Sequence, residues 1–141
     1  METFLVCLDS SPRAVHVLAV AHKLASLAGA KMILYRSVGI PPELPSEVLN
    51  SDRSVTEILI ASATADLKDR ADVLPAGAVR DCIVHIATPW DGICRAAKET
   101  NADLIVVGSH GYGALDRILG TTAAKVVNHA DRSVLVVRPK P

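Results

Sequence analysis

The stretch that decides the fold is Leu104–Val127, LIVVGSHGYGALDRILGTTAAKVV. It begins with an apolar run that ends at Gly108, continues through a loop containing Gly111, and reaches Gly120, where a helical pattern starts. A strand, a glycine-rich loop and a helix N-terminus in this order are typical of phosphate sites. Glycines let the backbone approach an anion, and the first N–H groups of a helix have no partner inside it. The stretch therefore predicts an anion site on an α/β fold.

Two threonines open the helical pattern after this loop. Thr121 is predicted to cap the helix, and Thr121 or Thr122 could offer a hydroxyl to the same anion. The loop lacks the GK[ST] sequence of a P-loop and the third glycine of a dinucleotide fingerprint. A connection in which the glycines serve only turns is the alternative to phosphate binding.

Composition limits the class of protein. The 141 residues fit a single domain, 1–141, that is large enough to remove roughly 70% of the unfolded surface from water. Half of the residues are hydrophobic and 3% are aromatic, so we expect an aliphatic core. The formal net charge of zero argues against a general nucleic-acid binder. No apolar run approaches the ~20 residues of a membrane span, and three cysteines without a targeting segment favour reduced thiols in the cytoplasm.

The rest of the chain alternates strands with helices, which predicts an α/β fold with a parallel sheet and helices on both faces. The first helix is expected to open at Ser10-Ser11-Pro12, with serine as its cap, and to stop at Gly29. Other helices are expected at Ser51–Val73, Pro89–Asn101 and Thr121–Ala130. Strands are predicted at Phe4–Leu8, Lys31–Val38, Val79–Ile86, Asp103–Val107 and Ser133–Arg138.

The glycine loop resembles that of the universal stress protein family. Nucleotide-binding members carry two glycines separated by two residues, a nine-residue spacer, and then glycine with serine or threonine. Gly108-Ser109-His110-Gly111 and Gly120-Thr121 match these two parts, but the spacer, Tyr112 to Leu119, has eight residues. The missing residue either shifts Gly120 relative to Gly111 or shortens a bulge. The resemblance extends from Phe4 to Arg138.

This resemblance implies an open five-stranded sheet in the order 3-2-1-4-5. The winding of the chain would then reverse between strands 1 and 4, and ligands of such sheets lie at that switch point. Asp9 would hold a ribose hydroxyl, the water of a bound metal, or the adenine edge through its backbone. Ser37 lies where the family places an apolar adenine contact, and His110 could donate to a phosphate. The expected nucleotide-binding residues are Asp9, Ser37, Gly108, His110, Gly111, Gly120, Thr121 and Thr122.

The implied function is that of a cytoplasmic, regulatory protein of this family that binds ATP or another adenine nucleotide, with magnesium. A homodimer is implied through the closing strand, Ser133 to Arg138. The sequence shows no GxSxG elbow and no set of nucleophile, base and orienting group, which favours binding over turnover. Two alternatives stay open: a nucleotide-free stress protein that acts through protein contacts, and a slow ATPase.

Overall fold

The computed structural model describes residues 1–39, 53–109 and 118–139. Strands and helices alternate along these residues, as the sequence predicts. The strands are β1 (Thr3–Cys7), β2 (Lys31–Val38), β3 (Val79–Ile86), β4 (Leu104–Gly108) and β5 (Ser133–Val137). The helices are α1 (Ala14–Ala28), α2 (Arg53–Asp72), α3 (Pro89–Glu99) and α4 (Thr121–His129).

The five strands form one parallel sheet in the order β3-β2-β1-β4-β5, which confirms the expected fold. The first strand lies at the centre, where Val6 pairs with Leu34 of β2 and with Val106 of β4. Crossovers run from β1 to β2 and β3 on one side, and then to β4 and β5 on the other. The chain therefore reverses its winding between β1 and β4, and the switch point lies at their carboxyl ends.

The core has two layers because successive strand residues point to opposite faces of the sheet. One layer packs α1 and α2 against the sheet, with Leu67 of α2 fully buried. The other layer packs α3 and α4, with Ala96 and Val126 fully buried. Central strands that are covered on both faces explain the continuous apolar runs in the sequence.

Two predicted helix caps are wrong. The first helix starts at Ala14 rather than at Ser10, because residues 11–13 form a turn and no side chain caps the helix. Gly120, not Thr121, is the N-cap of α4, and Thr121 is already helical. Gly29 ends α1 as predicted, with a φ of 69° that suits glycine.

A carboxylate ties the start of the chain to β4. Asp103 Oδ2 accepts the backbone N–H groups of Glu2 and Thr3, each at 2.8 Å. These two bonds lower the pKa of Asp103 below its ordinary value of 3.8. The carboxylate therefore stabilises the fold above that value, and the contribution disappears as the pH falls through the lowered pKa. None of the helices in the described part of the chain is long and apolar enough to cross a membrane.

We predict that Asp103→Ala lowers the thermal unfolding midpoint at pH 7, because two backbone donors lose a charged acceptor. The difference from wild type should shrink as the pH falls below about 3.8, where the carboxylate of the unfolded chain becomes protonated, and it should vanish as the pH falls through the lowered pKa of Asp103 in the folded protein. Differential scanning calorimetry across this pH range measures both effects. Asp69→Ala, which removes an exposed carboxylate from α2, is the matched control. An unchanged midpoint at pH 7, or a difference independent of pH, would contradict this role.

Candidate functional site

A cleft of about 570 Å³ opens at the carboxyl ends of β1, β2 and β4. This is the switch point of the sheet, where open α/β folds bind ligands. Its volume lies in the range of small-molecule sites. The wall combines apolar side chains with a few polar and charged ones. It is formed by Cys7, Leu8, Asp9, Ser10, Ser11, Arg13, Ala14, Val17, Tyr35, Arg36, Ser37, Pro89, Ile93, Val107, Gly108 and Thr122.

The chain leaves the sheet at Asp9, on one side of the cleft. The ladder between β1 and β2 continues to Leu8, whose N–H donates to the carbonyl oxygen of Tyr35 at 2.9 Å. The chain then turns, and the N–H of Ser11 donates to Asp9 Oδ1 at 2.9 Å. We call residues Leu8–Ser11 the Asp9 turn. An aspartate that accepts the N–H two residues ahead is a common way to close such a turn.

The side chain of Arg36 supports this turn from β2. Its Nε donates to the carbonyl of Leu8 at 2.8 Å, and its Nη2 donates to the carbonyl of Asp9 at 3.0 Å. The same Nη2 forms an ion pair with Asp66 Oδ2 of α2 at 2.6 Å. A residue that ends a strand leaves backbone carbonyls without ladder partners, and here a guanidinium supplies the donors.

The carboxylate of Asp66 has a second partner on its own helix. Arg70 Nε lies 3.2 Å from the same Oδ2 atom. Hydrogen bonds from Arg36 first, and then from Arg70, lower the pKa of Asp66. Asp66 is therefore ionised at neutral pH and balances the charge of Arg36, whose side chain is only 10% exposed.

A hydroxyl pair lies under the other side of the cleft. Tyr35 Oη and Ser37 Oγ are 2.8 Å apart, and Tyr35 Oη lies 3.3 Å from His85 Nδ1. Burial raises the pKa of Tyr35, so its hydroxyl remains protonated. Helix α3 passes close above this pair at Gly92, where a Cβ atom would lie 2.6 Å from Ser37 Oγ and would also collide with Tyr35 Oη. The hydroxyl pair and the helix fit together only because position 92 has no side chain.

The two ends of the glycine loop meet beside β4. The N–H of Gly120 donates to the carbonyl of Ser109 at 3.0 Å, and the N–H of Ser109 donates to Val137 of β5 at 2.9 Å. The shortened spacer therefore still returns the chain to the end of β4. It places the first turn of α4, which includes Thr122, beside the cleft.

The structure brings together four of the eight predicted site residues. These four line the same cleft from separate parts of the fold: Asp9 lies in the turn after β1, Ser37 in β2, Gly108 in β4 and Thr122 in α4. Gly120 and Thr121 are close in the chain but are not among its lining residues. His110 and Gly111 lie outside the described residues.

Three contributors to the site were not predicted from the sequence. Arg36 lies inside an apolar strand pattern, Tyr35 precedes it, and Gly92 lies in an ordinary helical pattern. A signal for Arg36 was available, because a charged residue in a strand covered on both faces requires a partner. No sequence signal identified Gly92, since its role depends on how α3 crosses β2.

Cys7 also lines the cleft, but its chemistry does not favour catalysis. Burial, and to a lesser extent the nearby Cys94, raises the pKa of the Cys7 thiol. A thiol that stays protonated is a poor nucleophile. Cys7 therefore acts as a small apolar part of the wall.

Known proteins share the sequence pattern and the fold of this chain. The sequence model of the Universal stress protein family matches residues 1–138. This chain belongs to the universal stress protein family. It is 30% identical over 140 residues to the "Universal stress protein in QAH/OAS sulfhydrylase 3'region" of Thermus aquaticus, covering 97% of this chain and 98% of that protein.

Solved universal stress proteins share the fold. One, determined in complex with cAMP, superimposes with a TM-score of 0.72 at 24% identity, covering 99% of this chain and 98% of the other. Another, from Archaeoglobus fulgidus in complex with dAMP, gives a TM-score of 0.61 at 20% identity, covering 98% of both chains. At 24% and 20% sequence identity, the similarity to these two structures shows a shared fold and no more.

We predict that Gly92→Ala destabilises this universal stress protein by about 1–3 kcal/mol, the usual cost of overpacking. The sign of the change in unfolding free energy tests the close approach, because without a collision alanine would stabilise the helix by about 1 kcal/mol over glycine. Removing the Tyr35 hydroxyl with Tyr35→Phe should reduce the cost of the added methyl. Urea unfolding of the two single variants and the double variant measures this coupling.

The control for this cycle is Gly39→Ala, because a Cβ at position 39 meets no atom of the described residues within 4 Å. It should leave the unfolding free energy nearly unchanged. If Gly92→Ala stabilises the protein, the close approach of α3 to the hydroxyl pair is wrong. If its cost is the same with Phe at position 35, the added methyl collides with Ser37 Oγ and not with Tyr35 Oη.

Proposed function

We propose that this protein binds an adenine nucleotide, ATP in particular, in the cleft at the switch point, and that it serves a regulatory role in the stress response. The observation that carries the proposal is the convergence of Asp9, Ser37, Gly108 and Thr122 on that cleft. Each of the four is a nucleotide-binding residue expected from the sequence, and they lie in the turn after β1, in β2, in β4 and in α4. Two structural relatives bind cAMP and dAMP, which supports an adenine nucleotide as the ligand class.

The chemistry of the cleft suits the parts of a nucleotide. Apolar side chains such as Ile93 and Val107 offer surface for a base. Asp9 supplies a carboxylate that can accept a ribose hydroxyl. Gly108 and the first turn of α4, with the hydroxyl of Thr122, suit a phosphate, because unpaired N–H groups and the helix dipole favour an anion there.

Magnesium would arrive with the phosphates of ATP. Among the described residues, no three His, Cys, Asp or Glu side chains form a cluster that could bind a metal ion. Mg²⁺ in nucleotide sites usually takes one or two carboxylates together with phosphate oxygens and water. Among the described residues that line the cleft, Asp9 supplies a carboxylate, and it fits this limited role.

We predict that Thr122→Ala weakens ATP binding by roughly tenfold to a hundredfold, the loss of one hydrogen bond to a charged group. Isothermal titration calorimetry measures the affinity. Thr64→Ala is the matched control, because it removes a hydroxyl that bonds the carbonyl of Ile60 within α2. Native mass spectrometry of the purified protein should also detect bound nucleotide. Wild-type protein that carries no nucleotide and binds no added ATP would favour the nucleotide-free alternative.

We also propose a homodimer through β5, which is an edge strand. The carbonyl of Val137 accepts the N–H of Ser109, so the backbone groups of Val137 face β4. Backbone direction alternates along a strand, and the N–H and C=O of Val136 therefore point away from β4. Pairing with the same strand of a second copy would satisfy these outward groups in a twofold interface.

We predict that Val136→Pro yields a folded monomer, because it removes an outward N–H and leaves the bonds to β4 in place. Leu135→Pro is the contrasting variant, since its N–H faces β4 and its loss should disrupt the sheet. Sedimentation velocity at micromolar concentration gives the mass, and circular dichroism reports the fold. If the Val136→Pro protein remains dimeric, the interface does not lie at this edge of the sheet.

A further inference from the structure

The contacts of Arg36 go beyond those of an ordinary structural ion pair. One guanidinium reaches two backbone carbonyls of the Asp9 turn and one carboxylate on α2. The carbonyls belong to Leu8 and Asp9, the last residues before the chain turns over the cleft. The guanidinium therefore fixes the two peptide groups that determine where the side chain of Asp9 is placed.

The burial of the Arg36 side chain strengthens its hydrogen bonds. Its side chain is 10% exposed, so its part-buried bond to the carbonyl of Leu8 meets less competition from water than a surface contact would. Asp66 balances the charge, and Arg70 shares that carboxylate from one helical turn away. A planar guanidinium can serve two carbonyls and a carboxylate together, which the single ammonium of a lysine does poorly.

We propose that Arg36 is the positioning residue of the cleft: it fixes the Asp9 turn so that the Asp9 carboxylate meets a ribose hydroxyl of the bound nucleotide. This inference rests on the proposed nucleotide function. Arg36 acts through Asp9 and not on the ligand itself. It should therefore affect the discrimination between ribose and deoxyribose more than the stability of the fold.

The chain provides a matched comparison for the test. Arg36→Gln and Arg70→Gln each remove one ion pair to Asp66, but only Arg36 contacts the Asp9 turn. Hydrogen–deuterium exchange of the ligand-free proteins is the first measurement. The segment from Ser10 to Arg13 should exchange faster in Arg36→Gln than in Arg70→Gln. Equal exchange in the two variants would overturn the inference without reference to any ligand.

Ribose discrimination is the second measurement. Calorimetry with ATP, 2′-deoxy-ATP and 3′-deoxy-ATP gives the ratio of affinities for each protein. Wild type and Arg70→Gln should bind one deoxy analogue roughly tenfold more weakly than ATP, the loss of one hydrogen bond to a charged group. In Arg36→Gln the ratio should fall towards one. A ratio that persists in this variant would overturn the positioning role.

A third variant and the wild type separate the possible failures. Arg36→Lys keeps a cation beside Asp66 and replaces the glutamine variant in the test if that variant does not fold. It should show the same loss of discrimination between ATP and its deoxy analogues. Wild-type protein that binds none of the three nucleotides would overturn the proposed function, and with it any role of Arg36 in placing a ligand. Wild-type binding with unchanged discrimination in both Arg36 variants would overturn this inference alone.

Discussion

Parallel pairing of β1 with β4 is the constraint on which the rest of the structure depends. Leu5 lies beside Ile105 and Val6 beside Val106, and all four side chains are fully buried. Because the chain reaches β4 only after winding β2 and β3 on the other side of β1, this pairing creates the switch point. The carboxyl ends of two strands that are distant in sequence then lie side by side. The cleft and its mixture of residues follow from that placement.

Local patterns were enough to predict the elements and the class of sheet. Continuous apolar runs such as Leu104–Val107 indicated strands buried on both faces, and the strand order came from the family resemblance carried by the glycine loop. Helix starts were predicted less well, because serine and threonine are frequent caps but tertiary contacts decide which residue takes that place. At Ser11 the backbone N–H bonds Asp9, and the helix begins later.

The candidate site could be predicted only in part, for a physical reason. Residues at strand ends, such as Asp9 and Gly108, are visible in sequence because the end of an apolar run places them at the sheet edge. Contacts between elements leave no such pattern. Arg36 bonds a turn 27 residues away, and Gly92 matters because α3 passes over Tyr35 and Ser37. The side chains that support a cleft from beneath are therefore the part of a site that only a structure can identify.

The central claim is that the cleft between β1 and β4 is the nucleotide site. Backbone amide chemical shifts recorded during a titration with ATP test it most directly, because they report the location of binding and not only its strength. We expect saturable shifts clustered at Asp9, Ser37, Gly108 and Thr122, with little change at the far end of the sheet near Gly77. Shifts confined to other surfaces, or no shifts at millimolar ATP, would contradict it.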